Sequence, residues 1–410
     1  AYDGTTDFDS TTQLDATGVG LSGIISGDTV TIQTGAITGT YDSEDVATAS
    51  KVTLSGFTLD STDAGNYTLG GSGSFDVAAG ITAKALTITG SSAADKVYDG
   101  TTDATVTAGS LSGLVTGETL SVSGEGTFAS ENVAYSNGSI TSQNVSVVYT
   151  LADGSGLASN YSLGGETLTA TINPKALTVT GTTAADKVYD GNTTATITNV
   201  GTLSGFVDDE TVTATATGSF DSANVNRNGS GVVIDRDVTA SFTLADGVGG
   251  LAGNYSLANV SGIAAAITPK EITIDGATVD TRAYDGTTTA TIDVNGARFT
   301  GLVGSEDLDV SATGVFDSRN VGRRTTTVTY TLSDDSGSSG GLASNYTLVD
   351  VSTLTGFITP KEITITAPTV SKVYDGTPAY DLSSAEVTTL GDGLLTAGTL
   401  ETGDSLTAAA

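Results

Sequence analysis

The sequence predicts an all-β protein of tandem antiparallel sandwich domains, on three observations. A tyrosine-aspartate-glycine string recurs at Tyr2, Tyr98, Tyr189, Tyr284 and Tyr374, with separations of 96, 91, 95 and 90 residues. Between recurrences, apolar residues alternate with Thr or Ser at period two, the signature of half-buried strands. Glycine, 53 residues in all, separates these runs, and no segment carries a sustained helical stripe with caps. A period of about 90 residues is too long for a solenoid unit of roughly 20 to 50 and suits independent domains in series.

Each period has the same elements in the same order. It opens with a strand after a lysine junction, as in Ala176-Leu177-Thr178-Val179-Thr180. Next comes the turn: Asp3-Gly4, Asp99-Gly100, Asp190-Gly191, Asp285-Gly286 and Asp375-Gly376, where the glycine supplies positive φ and the preceding tyrosine packs with its hydroxyl toward backbone. A Leu-Ser-Gly marker follows at Leu111, Leu203 and Leu21, degenerate at Phe299-Thr300-Gly301. Thr119-Leu120-Ser121-Val122-Ser123 alternates as a strand and leads to Phe128-Ala129-Ser130, matched by Tyr41-Asp42-Ser43, Phe220-Asp221-Ser222 and Phe316-Asp317-Ser318.

Ser146-Val147-Val148-Tyr149-Thr150-Leu151 is another strand. It precedes a second tyrosine marker, Asn66-Tyr67, Asn160-Tyr161, Asn254-Tyr255 and Asn345-Tyr346, read as a corner tyrosine that ties a loop to a sandwich edge. Thr167-Leu168-Thr169-Ala170-Thr171-Ile172 closes the unit, and Ala83-Lys84, Pro174-Lys175, Pro269-Lys270 or Pro360-Lys361 opens the next.

About six or seven strands per period fit an immunoglobulin-like sandwich, with a β-grasp-like sheet as the alternative. The expected units are 1–83, lacking its leading strand, 84–174, 175–269, 270–360 and a partial unit 361–410. Tight proline junctions with no Gly/Ser tether predict an extended rod.

Composition narrows the chemistry. The chain has 410 residues with no His, Cys, Met or Trp. That removes Ser-His-Asp and Cys-His nucleophilic sites, zinc held by Cys or His, and His-, Cys- or Met-ligated haem. With 47 acidic against 15 basic residues the net charge is −32, which disfavours nucleic acid and anionic membrane as partners. No apolar run of about 18 residues predicts membrane insertion within this segment. The lack of both oxidisable sulfur residues suits an extracellular location.

The strings Lys96-Val97-Tyr98-Asp99-Gly100-Thr101-Thr102 and Lys187-Val188-Tyr189-Asp190-Gly191-Asn192-Thr193, with the Asn-Tyr-Ser-Leu marker and the Pro-Lys junction, resemble YDG-type and related MBG repeats of large bacterial surface adhesins of filamentous-haemagglutinin-like type. The resemblance implies the repeat region of a secreted cell-surface protein.

Several residues are candidates for chemistry. The Tyr-Asp-Gly aspartates invite a general-base reading, but an active site copied into every unit is a poorer account than a turn needed in each one. Calcium is the one cofactor entertained, since it takes hard oxygen ligands. Its candidates are Asp42, Glu44 and Asp45; Asp208, Asp209 and Glu210; and Asp334 with Asp335. Solvated acidic turns are the competing reading. Lys84, Lys175, Lys270 and Lys361 start strands and are minor candidates for isopeptide bonds to asparagines such as Asn160 or Asn254. Arg319, Arg323 and Arg324 form a basic spot suited to an acidic rod or glycan, with solvated strand-face residues pairing with nearby Asp as the favoured reading.

The expected function is a non-enzymatic stalk or filament-forming region of an extracellular bacterial adhesin, with roles in cell adhesion and biofilm. Its expected partners are other copies, head-to-tail by strand addition or laterally, and cell-surface glycans or matrix. The alternative is a multivalent carbohydrate- or matrix-binding module, recognisable by exposed aromatics at equivalent loops; buried ones favour the stalk.

Overall fold

The computed structural model describes residues 1–15, 19–71, 73–349 and 353–363, with 371, 373, 374 and 376–378. The rest of the partial unit 361–410, Asp375 included, lies outside the described residues. Among those described, regular structure consists of strands and three-residue 3-10 turns, and no helix is long and apolar enough to cross a membrane. A β-grasp sheet is crossed by an α-helix, so the sandwich is the architecture formed.

Residues 84–174 show the pattern most fully. One sheet has five strands in the order Glu166–Ala170, Gln143–Asp153, Leu120–Phe128, Asp103–Thr107 and Ser92–Ala93, all antiparallel. The central register runs from Leu120↔Asp153 to Phe128↔Val145. Along Gln143–Asp153, Val145, Val147 and Tyr149 point inward while Ser146, Val148 and Thr150 face solvent, which is the alternation that the sequence displays. The second sheet places Lys84–Thr89 between Ser110–Ser112 and Tyr161–Leu163. Its Tyr161–Leu163 pairing is parallel, Tyr161↔Lys84 to Leu163↔Leu86, and Ile172–Asn173 also runs parallel to Lys96–Val97. These parallel pairs modify the purely antiparallel expectation. They arise because the opening strand and the strand after the Asn-Tyr marker enter the sandwich from the same end.

The same pattern recurs in 270–360. Lys270–Asp275 pairs antiparallel with Arg298–Thr300 and parallel with Tyr346–Leu348. A five-stranded sheet runs Arg282–Ala283, Thr353–Thr359, Gly322–Asp334, Leu308–Phe316, Thr289–Ala290. In the first period Asp7–Phe8, Thr38–Tyr41, Lys51–Ser55 and Phe75–Ala78 form one sheet, and Thr31–Gln33 pairs with Thr58–Asp60.

The chain divides into two compact units, one of Ala1–Thr178, Leu203–Ala214 and Leu244–Ala258, the other of Val179–Thr202, Thr215–Thr243 and Asn259–Ala410. The division passes through the third period, not at a Pro-Lys junction. Within the first unit one apolar cluster joins Phe128, Val145, Val147 and Ile172 to Leu177, Val207, Val212 and Tyr255. Within the second, Val238, Ile263 and Ile267 share a cluster with Ile272, Leu308 and Tyr346. Cores therefore continue across the junctions at Pro174 and Pro269. Each fully buried aliphatic side chain contributes about 1.5–3 kcal/mol, so much of the apolar stabilisation is held jointly by consecutive periods.

Candidate functional site

The recurring signature residues meet at the joints between consecutive periods. Tyr98 of the second period lies 5.5 Å, ring centroid to centroid, from Tyr255 of the third, edge to face at 80°. Tyr2 and Tyr161 stand at 5.3 Å and 79°, and Tyr189 and Tyr346 at 5.4 Å and 80°. Edge-to-face packing sets the positive ring edge against the negative face of its partner.

One glutamate closes each pair. The Tyr98 hydroxyl donates to Glu210 Oε1 at 2.6 Å and Tyr255 donates to Glu210 Oε2 at 2.5 Å. Glu118 takes Tyr2 at 2.5 Å and Tyr161 at 2.7 Å; Glu306 takes Tyr189 and Tyr346, both at 2.6 Å. Each carboxylate oxygen thus serves a tyrosine from a different period. The hydroxyl of the Tyr-Asp-Gly tyrosine reaches this side chain and not backbone, contrary to the sequence expectation. Burial, reinforced by the carboxylate, makes these tyrosines weaker acids, pushing the Tyr346 hydroxyl pKa up to about 12 and those of Tyr2, Tyr98 and Tyr189 further.

The second tyrosine also ties down its own loop. Its hydroxyl accepts the amide of Val115, Val207 or Val303, each at 3.0 Å. Those valines press on the Tyr-Asp-Gly turn of the preceding period. Gly4, Gly100 and Gly191 have φ of +81°, +76° and +80°, and a Cβ there would stand 2.9, 3.0 and 2.9 Å from a valine Cγ1. Both the turn and the close approach demand glycine.

Asparagine makes the third contact. Asn160, Asn254 and Asn345 are 1–2 % exposed, and a buried amide requires partners for both its atoms. Their Oδ1 atoms accept the amides of Val46, Val133 and Val225 of the preceding period, each at 2.9 Å. Their Nδ2 atoms donate to Asp45, Asn132 and Asn224 at 2.8, 2.7 and 2.9 Å. These amides are therefore committed across the joint, which displaces the isopeptide reading for Asn160 and Asn254.

The aspartates of the turns stay near the surface and shape backbone. Asp3, Asp99 and Asp285 accept from the amide and hydroxyl of the threonine two residues on, and Asp190 accepts from the Asn192 amide. Lys96 and Lys187 pair with Asp99 and Asp190 at 2.7 and 2.6 Å and sit 5.6 Å over the Phe128 and Phe220 rings. Arg282 takes the same role with Asp285 and Phe316. Burial lifts the Asp99 carboxyl, but the Lys96 ammonium and Thr101 outweigh it and hold it below the usual carboxylate range. Gly286 and Gly376 keep the same positive φ, Tyr284 is half-buried, and Tyr374 is 93 % exposed.

The acidic clusters have mixed fates. Asp42 accepts from Ser50 and from the Lys51 amide, and Glu44 is exposed. Asp45 and Glu210 belong to joints. Asp208, at φ +45°, and Asp209 are exposed. Asp334 accepts the Ala343 amide, while Asp335 accepts from Gly337, Ser339 and Gly340. Among the described residues no three carboxylates gather around one point. In the basic spot, Arg324 donates to the carbonyls of Asn320 and Val321.

Sequence reasoning missed Glu118, Glu306 and the valines after Asp45, Asn132 and Asn224. Two spaced signals mark them: an acid at Asp28, Glu118, Glu210 and Glu306, and an Asp/Asn-Val pair after each Phe/Tyr marker.

Among solved structures, the chain is similar to the I9–I11 tandem of titin at 11 % identity and a TM-score of 0.20, covering 67 % of this chain and 99 % of that one. It is similar to Drosophila N-cadherin EC1-4 at 11 % and 0.19, covering 88 % and 97 %, and to domains 4–9 of surface layer protein SbsC at 13 % and 0.11, covering 68 % and 48 %. No curated protein matches. A family model described as the YDG domain matches residues 1–74, 82–170, 173–262 and 268–354.

Proposed function

The chain belongs to the YDG domain family, and from that premise we propose that it is a non-enzymatic stalk or filament-forming region of an extracellular bacterial surface adhesin, an extended stiff array that projects or links cells. The observation that carries this reading is the joint itself. Tyrosine pair, bidentate glutamate and buried asparagine recur three times with nearly the same distances. Pieces held this way resist bending, because tilting one domain on the next separates a tyrosine hydroxyl from its carboxylate and exposes a shared core. Burial of the recurring tyrosines, 3–4 % exposed at Tyr98, Tyr189, Tyr255 and Tyr346, favours mechanical coupling over the glycan-binding alternative. Exposed rings such as Phe75, Tyr135 and Phe357 occupy non-equivalent positions. Calcium is given no part in the joints, whose acids Asp45 and Glu210 already accept hydrogen bonds.

Electron microscopy of the purified chain tests this. Wild type should image as straight rods, unchanged by a calcium chelator, and Glu210→Ala rods should bend at one interior point. Flexible beads in the wild type, or rods that soften on chelation, would sink the reading.

A further inference from the structure

Two of the three joints carry a second fastening, made by an insertion. After Val133 the second period runs out into a hairpin, Tyr135–Ser136 against Ser139–Ile140. Asn137 and Gly138, at φ of +51° and +78°, close it with the two-residue turn that suits strand twist. After Val225 the third period does the same less regularly: Arg227 bridges Val233, and the Asn228 and Ile234 amides donate to the Val232 and Asn226 carbonyls at 2.9 and 3.0 Å. Each hairpin crosses its joint to the 3-10 turn that holds the buried asparagine, Ala252–Asn254 or Ala343–Asn345. The Tyr135 hydroxyl donates to the Gly253 carbonyl at 2.8 Å, and a Cβ on Gly253 would stand 3.3 Å from the Tyr135 ring. Arg227 reaches the equivalent carbonyl, that of Ser344, through Nε at 3.2 Å and Nη2 at 3.1 Å. Its Nη1 donates to Gly231 of its own hairpin at 2.8 Å. Two unlike side chains therefore meet the same backbone oxygen.

The joint between the first and second periods is built differently. After Val46 the chain closes at once, the Thr48 and Ala49 amides donating to the Asp45 carbonyl at 3.1 and 2.8 Å, and the strand Lys51–Ser55 follows. Asp45 and Val46 meet Asn160 there, but among the described residues no hairpin lies over the Ser159 carbonyl. Val46 is half-buried, where Val133 and Val225 are 9 % and 6 % exposed. We propose that the two hairpins are clasps that set the firmness of each joint separately, so that the joint between the first and second periods opens before the others. Opening a clasped joint breaks the tyrosine, glutamate and asparagine contacts and the hairpin's bond as well, and each added bond lowers the population of the open state. Because the clasp grips a backbone oxygen, it works equally over glycine and serine. One loop can thus be lengthened or shortened to tune one joint while the shared contacts beneath stay the same. The inference rests on the joint being a structural coupling.

Hydrogen exchange on the full chain tests it, because each joint has its own reporter: the amides of Val46, Val133 and Val225, each donated to a buried asparagine at 2.9 Å. In the wild type the Val46 protection factor should be lower than the other two by roughly tenfold. Tyr135→Ala should lower protection at Val133 by roughly three- to tenfold and leave Val46 and Val225 as they were. Arg227→Ala should do the same at Val225 alone. The untouched reporters establish that each variant folds. Equal protection at the three valines of the wild type, or variants that change no reporter or all three alike, would overturn the clasp. Wild-type protection absent at all three while Val145 stays protected would overturn the coupling on which it rests.

Discussion

At the scale of single residues, the glutamates hold most of the joint's chemistry. Removing Glu210 leaves two enclosed tyrosine hydroxyls without an acceptor, and each such loss costs about 1–3 kcal/mol. Glu210→Ala should therefore lower stability by about 2 kcal/mol or more in urea titrations, whereas Asp209→Ala, one position earlier and exposed, should change it by less than about 0.5 kcal/mol. Gly100→Ala combines left-handed backbone with a Cβ 3.0 Å from Val207 Cγ1, and a loss of about 1–3 kcal/mol is expected in the same assay. The tyrosines give the joints an alkaline limit. Below about pH 10 folded and unfolded chains both keep the phenol protons, so the contribution is fully present. Above it the unfolded chain sheds protons that the joint retains, up to about pH 12 at Tyr346. Stability should therefore fall as pH rises through that window, measured as a declining Tm.

At the scale of elements, the strands were legible because half-buried faces impose period-two alternation, and Gln143–Asp153 obeys it along most of its length. The Tyr-Asp-Gly turn was legible as well, since glycine after aspartate specifies positive φ. The joint was not. Glu118 meets Tyr2 across 116 residues and Glu210 meets Tyr98 across 112, distances longer than one period, so inspecting a single period never puts the partners together. Nor do the glutamates share neighbours: Gly117 and Thr119 flank one, Ser305 and Asp307 another. The lysine before the turn was legible only as part of a motif. Its work is to span Asp99 and the Phe128 ring, so Lys96→Met, which keeps the stem and removes the charge, should cost about 1 kcal/mol. Amide exchange at Thr101 should quicken in that variant.

For the whole molecule, shared cores make consecutive periods interdependent. Ile172 is fully buried in the cluster that reaches Val207 and Tyr255. Ile172→Ala should cost about 2–5 kcal/mol, and hydrogen exchange should accelerate at Val207 as well as at Val145. Acceleration confined to 84–174 would mean that each period is stable on its own.

The two-handed glutamate has a bearing on ancestry. Among the described residues the first three periods present the same insert and the second, third and fourth the same socket, so within that set one copy can follow another without inventing a contact. Excising 84–174 would bring the turn at Tyr2 against Tyr255 and Glu210 and the amide of Val46 against Asn254. Unequal recombination between copies therefore lengthens or shortens such an array by whole periods and leaves a working seam each time.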